Sequence, residues 1–351
     1  MPKRLITTSP RRAALVDYED PPLAPHQVRV KVEYASPKHG TELAKFRGED
    51  PLAADYYNED WRLFLHRDGE GSTNPEYMIL GNQWVGMIIE KGPQVEDFDV
   101  GDRVCGYGGI QETQVIRAVD NPHLLKVPEG MSWKSAVCFD PAQFALAGLR
   151  DSHVRLGDRV AVFGLGAIGA LAAQMATVAG AGYIAVVDPI AKRRGAALRV
   201  GADAAFDPAS QDVGLELKRA TNKVGVDVVI ETSGNEQALQ QALRGIAYGG
   251  SIAYVGWARR FGGILNLGQE AHFNDANIVF SRASSEPNRD HPRWNRRRIE
   301  EVCWSMLAAS GVIDCQEIVD PVIPFAESPR GYQDFVDRHP ERSVKLGVTF
   351  V

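Results

Sequence analysis

From Val28 to Tyr34 the chain alternates, with Val28, Val30 and Val32 set against Arg29, Lys31 and Glu33. This is the period-two signature of a strand with one buried face. Short apolar segments follow at Met87-Ile88-Ile89, Arg103-Val104-Cys105 and Thr113-Gln114-Val115-Ile116, separated by the turn-prone Lys91-Gly92-Pro93 and Asp99-Val100-Gly101-Asp102. Residues 1 to about 147 therefore read as β-rich. The pattern changes near 158. Val160-Ala161-Val162-Phe163 is apolar throughout, glycine turns lead into an Ala-rich helix from Ala167 to about Ala179, and Ile184-Ala185-Val186-Val187 forms a second apolar strand ending at Asp188. Helices are predicted over 191–200, near 212–220 and near 235–246, with strands at 205–206, 226–230 and 251–255. Strands apolar on both faces, alternating with helices, predict a doubly wound parallel sheet covered on two sides. The rest holds a helix at 297–309 and a last strand, Lys345 to Phe350, expected to return to the first domain. The expected organisation is α/β, with a discontinuous domain of residues 1–147 and 288–351 and an inserted domain of 148–287.

The 351-residue length agrees with two domains, and 44% hydrophobic with 24% charged residues is ordinary globular composition. Lys plus Arg total 39 against 45 for Asp plus Glu, a net charge of −6, which speaks against a nucleic-acid partner. The longest apolar run, Val160 to Ala173, is broken by three glycines and falls short of the roughly 20 residues of a membrane span. No apolar signal segment follows Lys3 and Arg4, so a cytoplasmic location and no membrane association are expected. Four cysteines, at 105, 138, 303 and 315, form no C-x-x-C pair and predict reduced thiols.

Gly164-Leu165-Gly166-Ala167-Ile168-Gly169 follows a predicted strand and opens a predicted helix, the context a G-x-G-x-x-G segment needs to be a dinucleotide site. Gly164 permits the tight turn, Gly166 lets the backbone approach a pyrophosphate, and Gly169 lets helix and strand pack closely. Asp188, 19 residues after Gly169, is placed to accept hydrogen bonds from a ribose hydroxyl pair and to repel a 2′-phosphate, so NAD is expected over NADP. Arg193 reads either as a cover for that ribose or as a solvated helix charge.

With these residues placed, the chain resembles the medium-chain dehydrogenase/reductase superfamily, in its zinc-type alcohol and polyol dehydrogenase branch. The resemblance runs the full length. It is carried by Gly101-Asp102-Arg103-Val104, Gly157-Asp158-Arg159-Val160, the glycine turn, Gly201-Ala202-Asp203 and Glu231-Thr232-Ser233-Gly234. It implies a GroES-like β-rich catalytic domain plus a Rossmann domain, with Thr232 and Val255 joining the glycine turn, Asp188 and Arg193 at the cofactor, and homodimers or homotetramers. Unusual strings, Ala35 to Glu42, Cys138 to Phe144, Glu270 to Asn274 and Ser281 to Trp294, resemble bacterial members that oxidise C3 of a glycoside with NAD.

In zinc-dependent members of the branch a Cys-Gly-Ser/Thr-Asp segment and a Gly-His-Glu segment supply zinc ligands. The matching segments here are His39-Gly40-Thr41-Glu42 and Gly81-Asn82-Gln83, and the Cys-rich structural lobe is missing. Amides are poor zinc ligands, so zinc is expected to be absent, although His39, Glu42 and Asp140 remain a possible weakened metal set. Without a metal, side chains must take the hydroxyl proton and steady the developing alkoxide. His39 is the first candidate base, Thr41 matches the family's relay hydroxyl, Lys38 offers a point charge, and Asp140 could orient His39 or accept a sugar hydroxyl. Glu42, Asn82 and Gln83 are expected to meet sugar hydroxyls. The stretch Asp50 to Pro75, with Trp61, reads equally as a sugar-stacking insert or a surface excursion, and Asn288 to Arg298, with Arg293, as a substrate contact or a solvated loop. The expected reaction is NAD-dependent oxidation of a ring hydroxyl of a sugar or glycoside. An acyclic polyol or tetrapyrrole hydroxyethyl dehydrogenase and a non-catalytic NAD-binding protein are the alternatives.

Overall fold

The computed structural model describes residues 1–50, 53–67, 77–257 and 261–351. The chain packs as two units, Met1–Glu129 with Asp320–Val351, and Gly130–Val319. Both divisions lie outside the inserted domain drawn from sequence at 148–287. The reason is that the helix at 139–151 lies against the first helix of the parallel-sheet domain and the helix at 296–308 lies against that at 139–151, so both pack with that unit.

The first unit opens with a hairpin, β1 (Lys3–Ser9) and β2 (Arg12–Asp17), then β3 (Gln27–Ser36), α1 (His39–Phe46) and a second hairpin, β4 (Asp55–Asn58) and β5 (Leu63–His66). It continues through β6 (Gln83–Lys91), β7 (Arg103–Tyr107), β8 (Thr113–Arg117) and β9 (Leu125–Lys126). The alternation seen at Val28–Tyr34 is the middle of β3. Val28, Val30 and Val32 are at most 1% exposed and join Trp84, Ile88 and Leu346 in the core.

In the second unit come α2 (Trp133–Ala136), α3 (Phe139–Asp151), β10 (Arg159–Phe163), α4 (Ala167–Val178), β11 (Tyr183–Val187), α5 (Ala191–Arg199), β12 (Ala204–Phe206) and α6 (Val213–Ala220). Then follow β13 (Val226–Glu231), α7 (Glu236–Gly245), β14 (Ile246–Tyr254), β15 (Asn277–Phe280) and α8 (Arg296–Ala308). Its six strands, in the order β12-β11-β10-β13-β14-β15, are all parallel. The order reverses direction at β10, and in such sheets ligands bind at that switch point, outside the carboxyl ends of the strands.

The chain finishes with β16 (Val319–Pro324) and β17 (Lys345–Thr349). β17 pairs antiparallel with β3, giving the order β16-β17-β3-β6-β7-β9 with β8 also on β3. This C-terminal return builds part of the surroundings of His39. Among the described residues no helix is long and apolar enough to cross a membrane.

Candidate active site

In the second unit the glycine turn has the geometry its sequence predicts. Gly164 sits at φ +85°, in the left-handed region that favours glycine. A Cβ on Gly169 would fall 1.8 Å from Gly164 O, so no other residue fits there. Gly166 differs, because a Cβ built on it meets nothing within 4 Å. It is open on the side from which a ligand would approach the first-turn N–H groups of α4, at Ala167, Ile168 and Gly169, which have no intrahelical partners. Thr232 holds the turn from the neighbouring strand, its Oγ1 donating to Gly164 O at 2.8 Å and its N–H to Phe163 O at 2.9 Å.

A cleft of about 830 Å³ lies beside this turn, lined by Gly164, Gly166, Asp188, Arg193 and Thr232 among others. Asp188, 3% exposed, accepts the Leu165 N–H at 2.7 Å and the Ile190 N–H at 2.8 Å. Arg193 Nη1 lies 3.8 Å from its carboxylate, which makes Arg193 a wall of the cleft and not a solvated helix charge. Burial lowers the Arg193 pKa, opposed by the Asp188 charge. An open glycine turn, a helix start and an acid after the next strand together fit a dinucleotide. Val255 was expected at this cofactor. It lies against α3 instead, where a Cβ on Gly148 would come 2.8 Å from Val255 Cγ2, and it is not part of the cleft lining. Sequence reasoning missed Asn235, Gln237, Gln240 and Gln241, which also line the cleft. Their polar 237/240/241 spacing on α7 reads as an ordinary solvated helix face.

In the first unit α1 begins at His39, after Lys38 in extended conformation, with Gly40 at φ +47° breaking the helical geometry. His39 Nε2 accepts the Leu346 N–H at 3.2 Å, and Ser36 Oγ donates to Leu346 O at 2.7 Å. With Nε2 accepting, the neutral ring carries its proton on Nδ1. In this arrangement the Nε2 lone pair is occupied, and His39 takes up a proton there only when the Leu346 bond opens.

Glu42 is 8% exposed, and each of its oxygens is engaged, Oε2 by the Gly81 N–H at 2.8 Å and Oε1 by the Tyr332 hydroxyl at 2.7 Å. Burial lifts its pKa from 4.5 to about 7, with the Gly81 N–H, the Tyr332 hydroxyl and the Lys345 and Lys38 charges pulling the other way. Glu42 is therefore an internal strut and not a sugar-facing group. Gln83 is 1% exposed at the start of β6 and offers no surface to a substrate. Asn82 is less buried as a residue, and its Nδ2 meets no acceptor among the described residues. Lys345, 3% exposed, donates to Pro37 O at 2.7 Å and brings a buried cation to the same stretch. Neither Lys345 nor Tyr332 carried a sequence signal, because each meets the 37–42 segment from about 300 residues away.

Thr41 lies half-buried in the first turn of α1. Asp140 belongs to the second unit, 8% exposed in the first turn of α3. Trp61 stands at the tip of the β4–β5 hairpin and is 74% exposed; residues 51–52 and 68–75 of that stretch lie outside the described residues. Arg293 was expected at the substrate. It lines a separate crevice with Met175 and Val178 at the far end of α4 from the glycine turn. That helix has 12 residues, about 18 Å at its usual rise. The neighbouring Trp294 is sandwiched by Arg150 at 3.5 Å and Arg298 at 4.4 Å, and Arg150 also pairs with Asp290, so 288–298 is a structural clamp on α3.

The residues at the family's zinc positions do not fit the metal. His39 Nε2 is engaged by a backbone amide, Asn82 brings a weak amide donor, and among the described residues no three His, Cys, Asp or Glu side chains gather to hold an ion.

Known proteins bear on this geometry. The family model described as "Alcohol dehydrogenase GroES-like domain" matches residues 24–129, and "Zinc-binding dehydrogenase" matches 167–290. D-guloside 3-dehydrogenase of Escherichia coli (strain K12) is 53% identical over 350 residues, 99% of this chain and 100% of the relative. Sorbitol dehydrogenase of Bacillus subtilis (strain 168) is 32% identical over 51% of this chain and 58% of its own length. The fold matches the crystal structure of galactitol-1-phosphate dehydrogenase from Escherichia coli with a TM-score of 0.77, at 17% identity over 99% of each chain. The chain thus belongs to the medium-chain dehydrogenase/reductase superfamily, in its zinc-type alcohol dehydrogenase branch, and is an oxidoreductase of alcohols.

Proposed function

We propose that this enzyme oxidises a secondary ring hydroxyl, at C3 of a glycoside, to the keto sugar with NAD, reversibly and without a catalytic metal. The observation that carries the substrate is the whole-length 53% identity to a D-guloside 3-dehydrogenase. NAD, when bound, accepts the hydride from the carbinol carbon. The α4 first-turn amides hold its pyrophosphate, Gly166 leaves room for it, and Asp188 takes its ribose hydroxyls and disfavours a 2′-phosphate. Asn82 Nδ2 is the donor for a sugar oxygen, and Lys38 supplies positive charge as the alkoxide develops. Thr41 passes the hydroxyl proton to His39, which receives it at Nε2 once the Leu346 amide is released. The products are a ketone, NADH and one proton.

The four cysteines, all buried thiols, suit a reducing cytoplasm. Phe273 and Phe280, 77% and 70% exposed on and next to the edge strand β15, suit a homo-oligomer.

The test is a panel of methyl glycosides, with sorbitol, assayed by NADH appearance using enzyme dialysed against a chelator. A 3-keto glycoside formed by metal-free enzyme is the expected result. Turnover of sorbitol alone, or loss of turnover together with one tightly held zinc per chain, overturns the reading.

A further inference from the structure

One side chain holds a whole turn of backbone at the edge of the dinucleotide cleft. Glu236, the first residue of α7, accepts four successive backbone N–H groups: Gly262 on Oε2 at 2.6 Å, and Gly263, Ile264 and Leu265 on Oε1 at 3.0, 2.6 and 2.9 Å. One helical turn further along, Gln240 Oε1 accepts the Asn266 N–H at 2.7 Å. Positions i and i+4 share a helix face, so a single face of α7 grips five amides in a row. Gly263, at φ +99°, provides the left-handed step that lets consecutive N–H groups converge on one anion.

The carboxylate does not cap α7, because Asn235 Oδ1 already accepts the Gln237 and Ala238 N–H groups at 2.8 and 3.2 Å. The Leu265 N–H foremost, with the other three, holds the Glu236 carboxyl below its ordinary pKa, so it is charged at neutral pH. Charge-assisted bonds of this kind are about twice as strong as neutral ones. The gripped turn is also cleft wall: Ile264 lines the dinucleotide cleft beside Gln237, Gln240 and Gln241.

We propose that Glu236 is a positioning residue for the cofactor: by clamping the 262–265 turn it fixes the Ile264 wall against which the adenosine half of NAD packs. This rests on the NAD reading above. A wall ordered before binding spares the dinucleotide the cost of ordering it, so the clamp acts on cofactor affinity and not on hydride transfer.

The experiment is NADH titration by fluorescence on the full-length enzyme and its Glu236→Ala and Glu236→Gln variants, with amide hydrogen exchange over 261–266. Glu236→Ala is expected to speed exchange at 262–265, to weaken NADH roughly tenfold, and to raise KM for NAD with kcat at saturating NAD little changed. Glu236→Gln keeps the oxygen that takes three of the four amides and is expected to fall between. Faster exchange with unchanged NADH affinity overturns the proposal, as does unchanged exchange, and as does a fall in kcat with KM unaltered. If the unaltered enzyme binds neither NADH nor NADPH, the cofactor reading falls and this proposal with it. If it binds and the variants bind equally well, only this proposal falls.

Discussion

Glu42→Gln tests the burial argument at the centre of the first unit. In the native chain the Glu42 carboxyl titrates near 7, against 4.5 for an ordinary glutamate, because desolvation outweighs its two hydrogen bonds and the nearby lysine charges. Below pH 4.5 both native and unfolded chains hold the proton. Between 4.5 and 7 the unfolded chain releases it while the native chain keeps it, so stability falls as pH rises. At 1.36 kcal/mol per unit the loss amounts to about 3 kcal/mol and is complete above pH 7. Glutamine mimics the protonated acid: its carbonyl accepts the Gly81 N–H and its amide donates to the Tyr332 oxygen, which reverses its role. Urea unfolding of both proteins at pH 4.5 and 8.5 gives the double difference, in which all other titrating groups cancel. The unaltered enzyme should lose about 3 kcal/mol more than the variant over that range. An equal pH dependence in the two proteins, or a variant less stable at pH 8.5, would refute the reasoning.

Three further outcomes follow from the same geometry. Gly166→Val adds a side chain where nothing lies within 4 Å and where the backbone is already extended, at φ −67° and ψ −175°; urea stability should move by less than about 1 kcal/mol while NADH binding weakens at least roughly tenfold. Arg47→Met removes the main partner of Asp337, whose side chain is 1% exposed and bonded to Arg47 Nε at 2.6 Å, leaving Arg11 at 3.5 Å as its cation among the described residues; a loss of about 3 kcal/mol is expected in urea unfolding, and a neutral result would show that Asp337 reaches water. His39→Ala should lower turnover by about 10²-fold or more with NADH affinity unchanged, and intact turnover would remove His39 from the mechanism.

The glycine turn was legible because its chemistry is backbone chemistry: a left-handed step at Gly164, an open side at Gly166 and a 1.8 Å conflict at Gly169 follow from local spacing alone. The parallel strands were legible for a related reason, since strands covered on both faces are apolar at every position. The β1–β2 hairpin and α3 were not, because partners far along the chain decide their burial. The same holds for the site. Glu42 looked like a polar group awaiting a sugar until Tyr332, 290 positions later, closed over it. Arg293 stands beside Trp294, on which Arg150 of α3 and Arg298 of α8 stack, and no local pattern distinguishes that packing from substrate binding. Glu236 is the clearest case of a silent residue: an acid at a helix start is unremarkable until the 262–265 turn is folded onto it.

In the proposed reaction a hydride leaves C3 of a glycoside ring for NAD. The most direct measurement is a single turnover of a methyl glycoside carrying deuterium at C3, with both products weighed by mass spectrometry. The expected products are NADH one mass unit heavier and an unlabelled 3-keto glycoside. Light NADH with deuterium retained in the sugar would contradict that reaction, and so would tight NAD binding with no turnover of any glycoside.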